Sequence, residues 1–154
     1  MKLPDALRSI RQMAFDTAPL IYLVERNPTY FDRMFFIMGY VDRGLIDGVC
    51  STIALAEVLV HPMRVGDIQL AKRYESVLSN SHSFRMESVT PRVARNAAGL
   101  RSRYNLQTPD ALHVATALDA GCDAFLTNDN GIKRVVEITV LVLDELEIDP
   151  TSKV

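Results

Sequence analysis

The stretch that indicates the fold most clearly is residues 12–25, which run QMAFDTAPLIYLVE. It begins with a short, mostly apolar run, which predicts a buried strand that ends at Asp16. The apolar residues after it, among them Leu20 and Val24, predict one or two turns of buried helix that Pro28 stops. A strand that leads at once into a helix is typical of a parallel sheet covered by helices.

Strand-like and helix-like segments alternate in the same way along the rest of the chain. We predict strands over residues 48–51, 83–89, 123–127 and 139–143, and helices near the amino terminus and over 30–41, 52–60, 67–79, 91–104 and 108–118. The helix over 52–60 is expected to stop at His61-Pro62, and Thr108 is expected to cap the last helix. The alternation predicts an α/β fold of three layers, with a parallel sheet between two layers of helices.

Length and composition favour one globular domain. The 154 residues include 48% apolar and 23% charged side chains, and the net charge is −2. We therefore interpret 1–154 as a single domain with an N-terminal extension over 1–11, a core over 12–143 and a tail over 144–154. Because the net charge is small, contact with a polyanion would need a local basic patch or a bound cation.

The cysteines and the apolar runs indicate where such a protein would work. Cys50 and Cys122 make no disulfide framework and are interpreted as buried free thiols, which suit a reducing compartment. The first 13 residues lack the apolar core of a secretory signal. The apolar runs are far shorter than the roughly 20 residues that span a bilayer. We therefore expect a cytoplasmic protein without membrane contact.

Four acidic residues interrupt the apolar pattern at places where α/β sheets bind ligands. Asp16 ends the first predicted strand, and Asp129 follows the strand over 123–127. Glu57 is the only charge between Val49 and Val60, and Asp110 opens an almost wholly apolar helix. Sites in open parallel sheets form outside the carboxyl ends of the strands.

Each acid also has a structural explanation. Asp16 and Asp129 could form turns, Asp110 could complement the helix dipole, and Glu57 could be a buried carboxylate paired with an arginine. Together they have a better joint explanation, because two carboxylates 4 Å apart repel by roughly 4 kcal/mol at an effective dielectric of 20. A bound cation removes that repulsion, and oxygen-only ligands favour Mg²⁺ or Mn²⁺.

The segments around these acids resemble the PIN-domain family, in particular its toxin-like ribonucleases of the VapC type. The matching segments are Phe15-Asp16-Thr17 with Ile21-Tyr22-Leu23, Ser51-Thr52 with Ala56-Glu57-Val58, Thr108-Pro109-Asp110-Ala111-Leu112-His113, and Leu126-Thr127-Asn128-Asp129. They follow the order of the family. The resemblance implies a five-stranded parallel sheet between helices, and Mg²⁺- or Mn²⁺-dependent endonuclease activity on RNA.

Carried over position by position, the resemblance implies an acidic metal site and a hydroxyl beside it. The implied metal ligands and catalytic acids are Asp16, Glu57, Asp110 and Asp129, and Thr127 matches the hydroxyl residue. Thr17 would either touch metal-bound water or cap the following helix. The resemblance also implies a homodimer and, for a toxin, an antitoxin partner. The first strand begins near residue 12, later than in many members of the family.

A second group of residues could contact phosphates. Five arginines and one acid lie between Arg85 and Arg103, and two further basic residues follow Asp129 closely. The candidates for weak substrate contact are Arg101, Arg103, Lys133 and Arg134. A solvated helix face is the alternative explanation. The three histidines are too scattered for a zinc site, and we interpret His113 as structural or as the partner of a nearby acid.

Three other functions are compatible with part of the pattern. A signalling receiver also gathers acids at strand ends, but it would need an acidic neighbour beside Asp16, which is absent. A PIN-like binding or scaffold protein with little catalysis is the second alternative, and the presence of all four acids disfavours it. A metal-dependent nuclease that acts on DNA is the third, since only side-chain geometry distinguishes the two nucleic acids.

Overall fold

One parallel sheet organises the chain. The computed structural model describes residues 1–79 and 81–150. The strands of these residues are β1 (Gln12–Phe15), β2 (Asp47–Ser51), β3 (Phe84–Glu87), β4 (Ala124–Thr127) and β5 (Thr139–Val142). Their order in the sheet is β3-β2-β1-β4-β5, and all neighbours run parallel. The predicted α/β fold with a five-stranded parallel sheet is confirmed, and β3 lies at an edge as its alternating pattern indicated.

Helices cover both faces of the sheet. They are α1 (Leu3–Leu7), α2 (Thr17–Val24), α3 (Phe31–Asp42), α4 (Thr52–Val65), α5 (Ile68–Leu78), α6 (Pro91–Tyr104) and α7 (Thr108–Asp119), with 3₁₀ turns at Asn130–Arg134 and Leu143–Glu145. Met13 and Phe15 of β1 belong to the core shared with α1 to α5, whereas Ala14 belongs to the core shared with α6 and α7. Successive residues of a strand point to opposite faces, so two apolar cores form around one sheet.

The N-terminal segment packs against the body. Leu3 and Leu7 of α1 are 0% and 2% exposed. The backbone N–H of Leu3 donates to the carbonyl of Glu147, and the N–H of Glu147 donates to the carbonyl of Met1, both across 2.9 Å. These backbone hydrogen bonds join the first residues of the chain to the residues that follow β5.

Two helix boundaries differ from the prediction. The helix α4 does not stop at His61-Pro62 but continues through Pro62 to Val65, and it ends at Gly66 in the left-handed conformation with a φ of 72°. Pro62 lies on the buried face of α4, so packing stabilises a helix that proline weakens. Thr108 is the first residue of α7 rather than its cap, a position that Gln107 occupies without a side-chain hydrogen bond.

Both cysteines are free thiols, and Cys50 is buried whereas Cys122 is partly buried. Burial raises the pKa of each thiol to about 12, so both are protonated near neutral pH. No helix in the described part of the chain is both long enough and apolar enough to cross a membrane.

Candidate active site

Thr127 joins the two strands that carry the first and last candidate acids. Asp16 directly follows β1 and Asp129 lies two residues beyond the end of the neighbouring strand β4. The Thr127 hydroxyl donates to Asp16 Oδ2 across 2.7 Å and accepts from the Asp129 backbone N–H across 3.0 Å. Thr127 is fully buried. Its two hydrogen bonds fix the Asp16 carboxylate and the Asp129 backbone at the carboxyl edge of the sheet.

Asp16 also caps the helix that begins after it. Its Oδ1 accepts from the backbone N–H of Thr17 across 2.7 Å, at the amino end of α2. A carboxylate is favoured there because the helix dipole places positive charge at that end. The side chain is 12% exposed, so these contacts orient a nearly buried carboxylate.

Glu57 is held by a histidine and a threonine rather than by an arginine. His113 Nε2 lies 2.7 Å from Glu57 Oε1, and the Thr17 hydroxyl donates to the same oxygen across 2.8 Å. The hydrogen bond from His113, with a smaller contribution from Thr17, lowers the pKa of Glu57 against the opposing effect of burial. The alternative of a buried carboxylate paired with an arginine is wrong, since the Glu57 side chain on α4 is 39% exposed and its partner is His113.

The pKa of Asp110 depends on the charges of the other three candidate acids. Asp110 lies in the first turn of α7. Burial raises its pKa most, and the negative charges of Asp16, Asp129 and Glu57 raise it further, whereas His113 lowers it. Like charges have this effect only at short range in partly buried surroundings. Acids from four separate segments of the chain therefore influence one another electrostatically.

The oxygen atoms of the four candidate acids suit a hard divalent cation, but these carboxylates do not converge on a single point. Carboxylate oxygens are the preferred protein ligands of Mg²⁺ and Mn²⁺. Within residues 1–79 and 81–150, no three His, Cys, Asp or Glu side chains converge closely enough to hold a metal ion. Mutual repulsion between the negative charges opposes a closer approach of these carboxylates. Asp16, Glu57, Asp110 and Asp129 are the residues that could hold a cation.

The basic candidates have local partners. Arg103 and Lys133 form ion pairs with Glu137 and Glu145, at 2.9 and 2.7 Å. Arg101 and Arg134 instead donate to the backbone carbonyls of Leu106 and Asn105, at 3.1 and 3.4 Å. None of these hydrogen bonds involves the four acids.

Sequence reasoning identified His113 as a possible partner of an acid but missed Ser51 and Asn128. Ser51 Oγ lies 2.9 Å from His113 Nδ1. Asn128, between Thr127 and Asp129, accepts from the backbone N–H of Asp144 across 2.9 Å and donates to the Tyr22 hydroxyl across 3.4 Å. These partners are distant in the chain, so no local pattern could reveal them, although the three-residue spacing of Asp110 and His113 did suggest a shared helix face.

Fold and site define a class of α/β proteins with carboxylates at the carboxyl edge of the sheet. A family model described as the PIN domain matches residues 13–138. The chain therefore belongs to the PIN domain family, as its motifs indicated. No curated protein sequence gives a significant match.

Solved structures share this fold at low sequence identity. VapBC2 from Rickettsia felis, bound to a DNA fragment from its promoter, aligns with a TM-score of 0.68 and 14% identity over 85% of this chain and 98% of that one. A toxin–antitoxin complex from Klebsiella pneumoniae aligns with a TM-score of 0.65 and 21% identity, over 85% of this chain and 97% of that one. Mycobacterium tuberculosis VapC20, a toxin that cleaves the sarcin–ricin loop, aligns with a TM-score of 0.64 and 16% identity, over 82% of this chain and 98% of that one. The similarity in fold extends over nearly the whole length of these chains.

Proposed function

We propose that this chain is an endoribonuclease that hydrolyses RNA phosphodiester bonds with Mg²⁺ or Mn²⁺ held by Asp16, Glu57, Asp110 and Asp129. The observation that carries the proposal is geometric: His113 Nε2 lies 2.7 Å from Glu57 Oε1 and 3.8 Å from Asp16 Oδ1, and the Thr127 hydroxyl links Asp16 to the backbone of Asp129. The raised pKa of Asp110, to which burial contributes most and the charges of the other three acids contribute further, agrees with it. A fold gains no stability by gathering four negative charges. Such a cluster is explained by a cation that it binds during function.

The protein side chains have distinct tasks in this proposal. When bound, the divalent ion lowers the pKa of water and polarises a phosphoryl oxygen. Thr127 and the Thr17 backbone N–H fix the two oxygens of Asp16, so this carboxylate keeps its orientation as substrate enters. Thr17 also donates to Glu57, so it belongs to the support of the acidic site.

Arg101 and Arg134 are the stronger candidates for contact with RNA phosphates. Their hydrogen bonds go to neutral carbonyls, so each retains a full positive charge. Arg103 and Lys133 are each compensated by a glutamate at hydrogen-bonding distance. We therefore expect these two to contribute less to the attraction of a polyanion.

We also propose that the chain is the toxin of a toxin–antitoxin pair, works in the cytoplasm and forms a homodimer. The support is the membership in the PIN domain family together with the similarity to chains of VapBC complexes. The similarity to VapC20, a toxin that cleaves the sarcin–ricin loop, favours RNA as the substrate. Co-expression with the protein encoded beside it, followed by co-purification, tests the antitoxin partner.

The activity is tested by incubating the purified chain with pooled structured and single-stranded RNA, and with DNA, in Mg²⁺, Mn²⁺ or EDTA. Asp16→Asn removes a candidate ligand, and Asp119→Asn is the matched control because Asp119 pairs with Arg92 instead. We expect cleavage of RNA that needs metal and Asp16 but not Asp119. Sequencing the cut ends would identify the target. Metal-dependent cleavage of DNA alone would favour the DNA nuclease, and metal binding without cleavage would favour a binding module.

A further inference from the structure

His113 lies between the start of α4 and the carboxylate of Glu57. Its side chain is 1% exposed. Nδ1 is 2.9 Å from Ser51 Oγ, and Nε2 is 2.7 Å from Glu57 Oε1. The same Nε2 is 3.2 Å from Thr17 Oγ1. Both nitrogens of a buried ring therefore contact residues that belong to the candidate site or support it.

The hydrogen-bonding capacity of the neighbours assigns the tautomer of the ring. The Glu57 carboxylate can only accept, so Nε2 carries the proton and donates it. Ser51 Oγ accepts from the backbone N–H of Ile53 across 3.2 Å, and its hydroxyl proton can be donated to the unprotonated Nδ1. With its proton on Nε2, the ring offers a donor to Glu57 and leaves Nδ1 as an acceptor for the Ser51 hydroxyl.

Glu57 needs such a partner because its side chain is long and partly exposed. A glutamate in this position loses rotamer freedom when it is fixed. Thr17 and His113 both donate to Oε1, and Oε2 has no hydrogen bond to any residue that the structure describes. One carboxylate oxygen is therefore held by the protein while the other stays available to a ligand.

We propose that His113 is a positioning residue of the acidic site, which orients the Glu57 carboxylate for a divalent cation through its Nε2–H. Ser51 in turn fixes the ring. The inference rests on the proposed function only in taking the four acids as the metal site. A histidine that merely filled the core would stabilise the fold and leave cation affinity unchanged. Loss of an outer partner of a metal ligand typically weakens affinity about 10–100-fold.

Three variants of the full chain separate these roles. His113→Leu removes both hydrogen bonds, whereas His113→Gln keeps an amide donor close to the position of Nε2. Thr116→Val is the matched control, because Thr116 is buried on the same helix and its hydroxyl donates to the Leu112 carbonyl across 2.8 Å. Mn²⁺ and Mg²⁺ affinities are measured by calorimetric titration, stability by urea denaturation, and the tautomer of His113 by ¹⁵N NMR.

We expect His113→Leu to weaken cation binding at least about 10-fold, His113→Gln to retain most of the affinity, and Thr116→Val to change stability alone. We also expect the NMR spectrum of the parent chain to show the proton on Nε2. A folded His113→Leu variant with full affinity would overturn the inference, as would a proton on Nδ1, or a parent chain that binds no cation. If His113→Leu does not fold, weak binding by the folded His113→Gln variant would also count against it.

The failure of the proposed function has a different signature. Suppose that the parent chain and its variants bind the cation with the expected affinities, yet the parent chain cuts no RNA. That result would refute the nuclease and leave His113 as a positioning residue. Metal-dependent cleavage by the parent chain, together with full cation affinity in the His113→Leu variant, would support the nuclease and refute the positioning role of His113.

Discussion

The hydroxyl of Thr127 donates a hydrogen bond to Oδ2 of Asp16 across 2.7 Å, although the two residues are 111 positions apart in the chain. The contact exists because β1 and β4 are neighbours, with Phe15 paired to Leu126 one residue earlier in each strand. Register between parallel strands thus places a hydroxyl beside a carboxylate at the edge where sites form.

Thr127→Val should destabilise the protein and disturb the site. The variant has nearly the same volume but removes a buried donor from Asp16 and an acceptor from the Asp129 N–H. We expect the free energy of unfolding to fall by about 1–3 kcal/mol in urea denaturation, because buried groups are left without hydrogen-bond partners. Thr127→Ser retains the hydroxyl and should recover cation affinity. Equal cation affinity in the valine and serine variants would contradict a role of the hydroxyl.

Asp110→Asn should stabilise the protein in the absence of metal. The pKa of Asp110 is raised, so the folded chain binds this proton more tightly than the unfolded chain. Stability from this group is therefore largest at low pH and is lost as the pH rises through the unfolded and then the folded pKa. We expect the variant to have the higher free energy of unfolding in EDTA at pH 7, and the difference to shrink as the pH falls through the raised folded pKa towards the unfolded value of about 4.

Asp110→Asn should gain little thermal stability from added metal. Mg²⁺ should raise the thermal midpoint of the parent chain, because the ion binds the folded state. Asp119→Asn provides the control, since Asp119 lies on the same helix but pairs with Arg92. A parent chain less stable than Asp110→Asn at pH 7 both with and without saturating metal would argue against cation binding by Asp110.

Gly131→Ala should weaken the site without unfolding the chain. A Cβ at this glycine would lie 3.0 Å from Asp129 Oδ1, which accepts from the Gly131 N–H across 2.7 Å. The carboxylate must shift, so we expect lower Mn²⁺ affinity by calorimetry. Gly39→Ala in α3 is the control, because a Cβ there meets no atom within 4 Å. That variant should gain about 0.5–1 kcal/mol of stability through helix propensity and bind Mn²⁺ normally.

Arg101→Gln combined with Arg134→Gln should weaken RNA binding and reduce its dependence on salt. For single-stranded RNA, each arginine that no longer neutralises a phosphate should make the slope of log affinity against log salt shallower by about 0.7. Arg103→Gln combined with Lys133→Gln is the comparison, and its effect should be smaller because Glu137 and Glu145 already neutralise those charges. Both slopes are measured by fluorescence anisotropy in the Asp16→Asn background, which we expect not to cleave the RNA. Equal slopes in both double variants would contradict the assignment.

The order of strands and helices could be predicted from sequence because it depends on local patterns. Apolar runs that end in an acid, such as the one before Asp16, and caps such as Thr90 before Pro91 are short-range signals. The prediction failed at Pro62, where local propensity favours an end to the helix. Burial of Pro62 against the core outweighs that propensity, and only the packed structure reveals it.

The residue types of the site were also determined by sequence, but their partners were not. The motifs identified the four acids and Thr127, and spacing on one helix suggested that His113 faces an acid. Only the tertiary structure decided that this acid is Glu57, that Glu57 is partly exposed, and that Ser51 holds the far side of the ring. The physical reason is that strand order and helix packing bring together residues far apart in the chain, and hydrogen-bond geometry then selects among them.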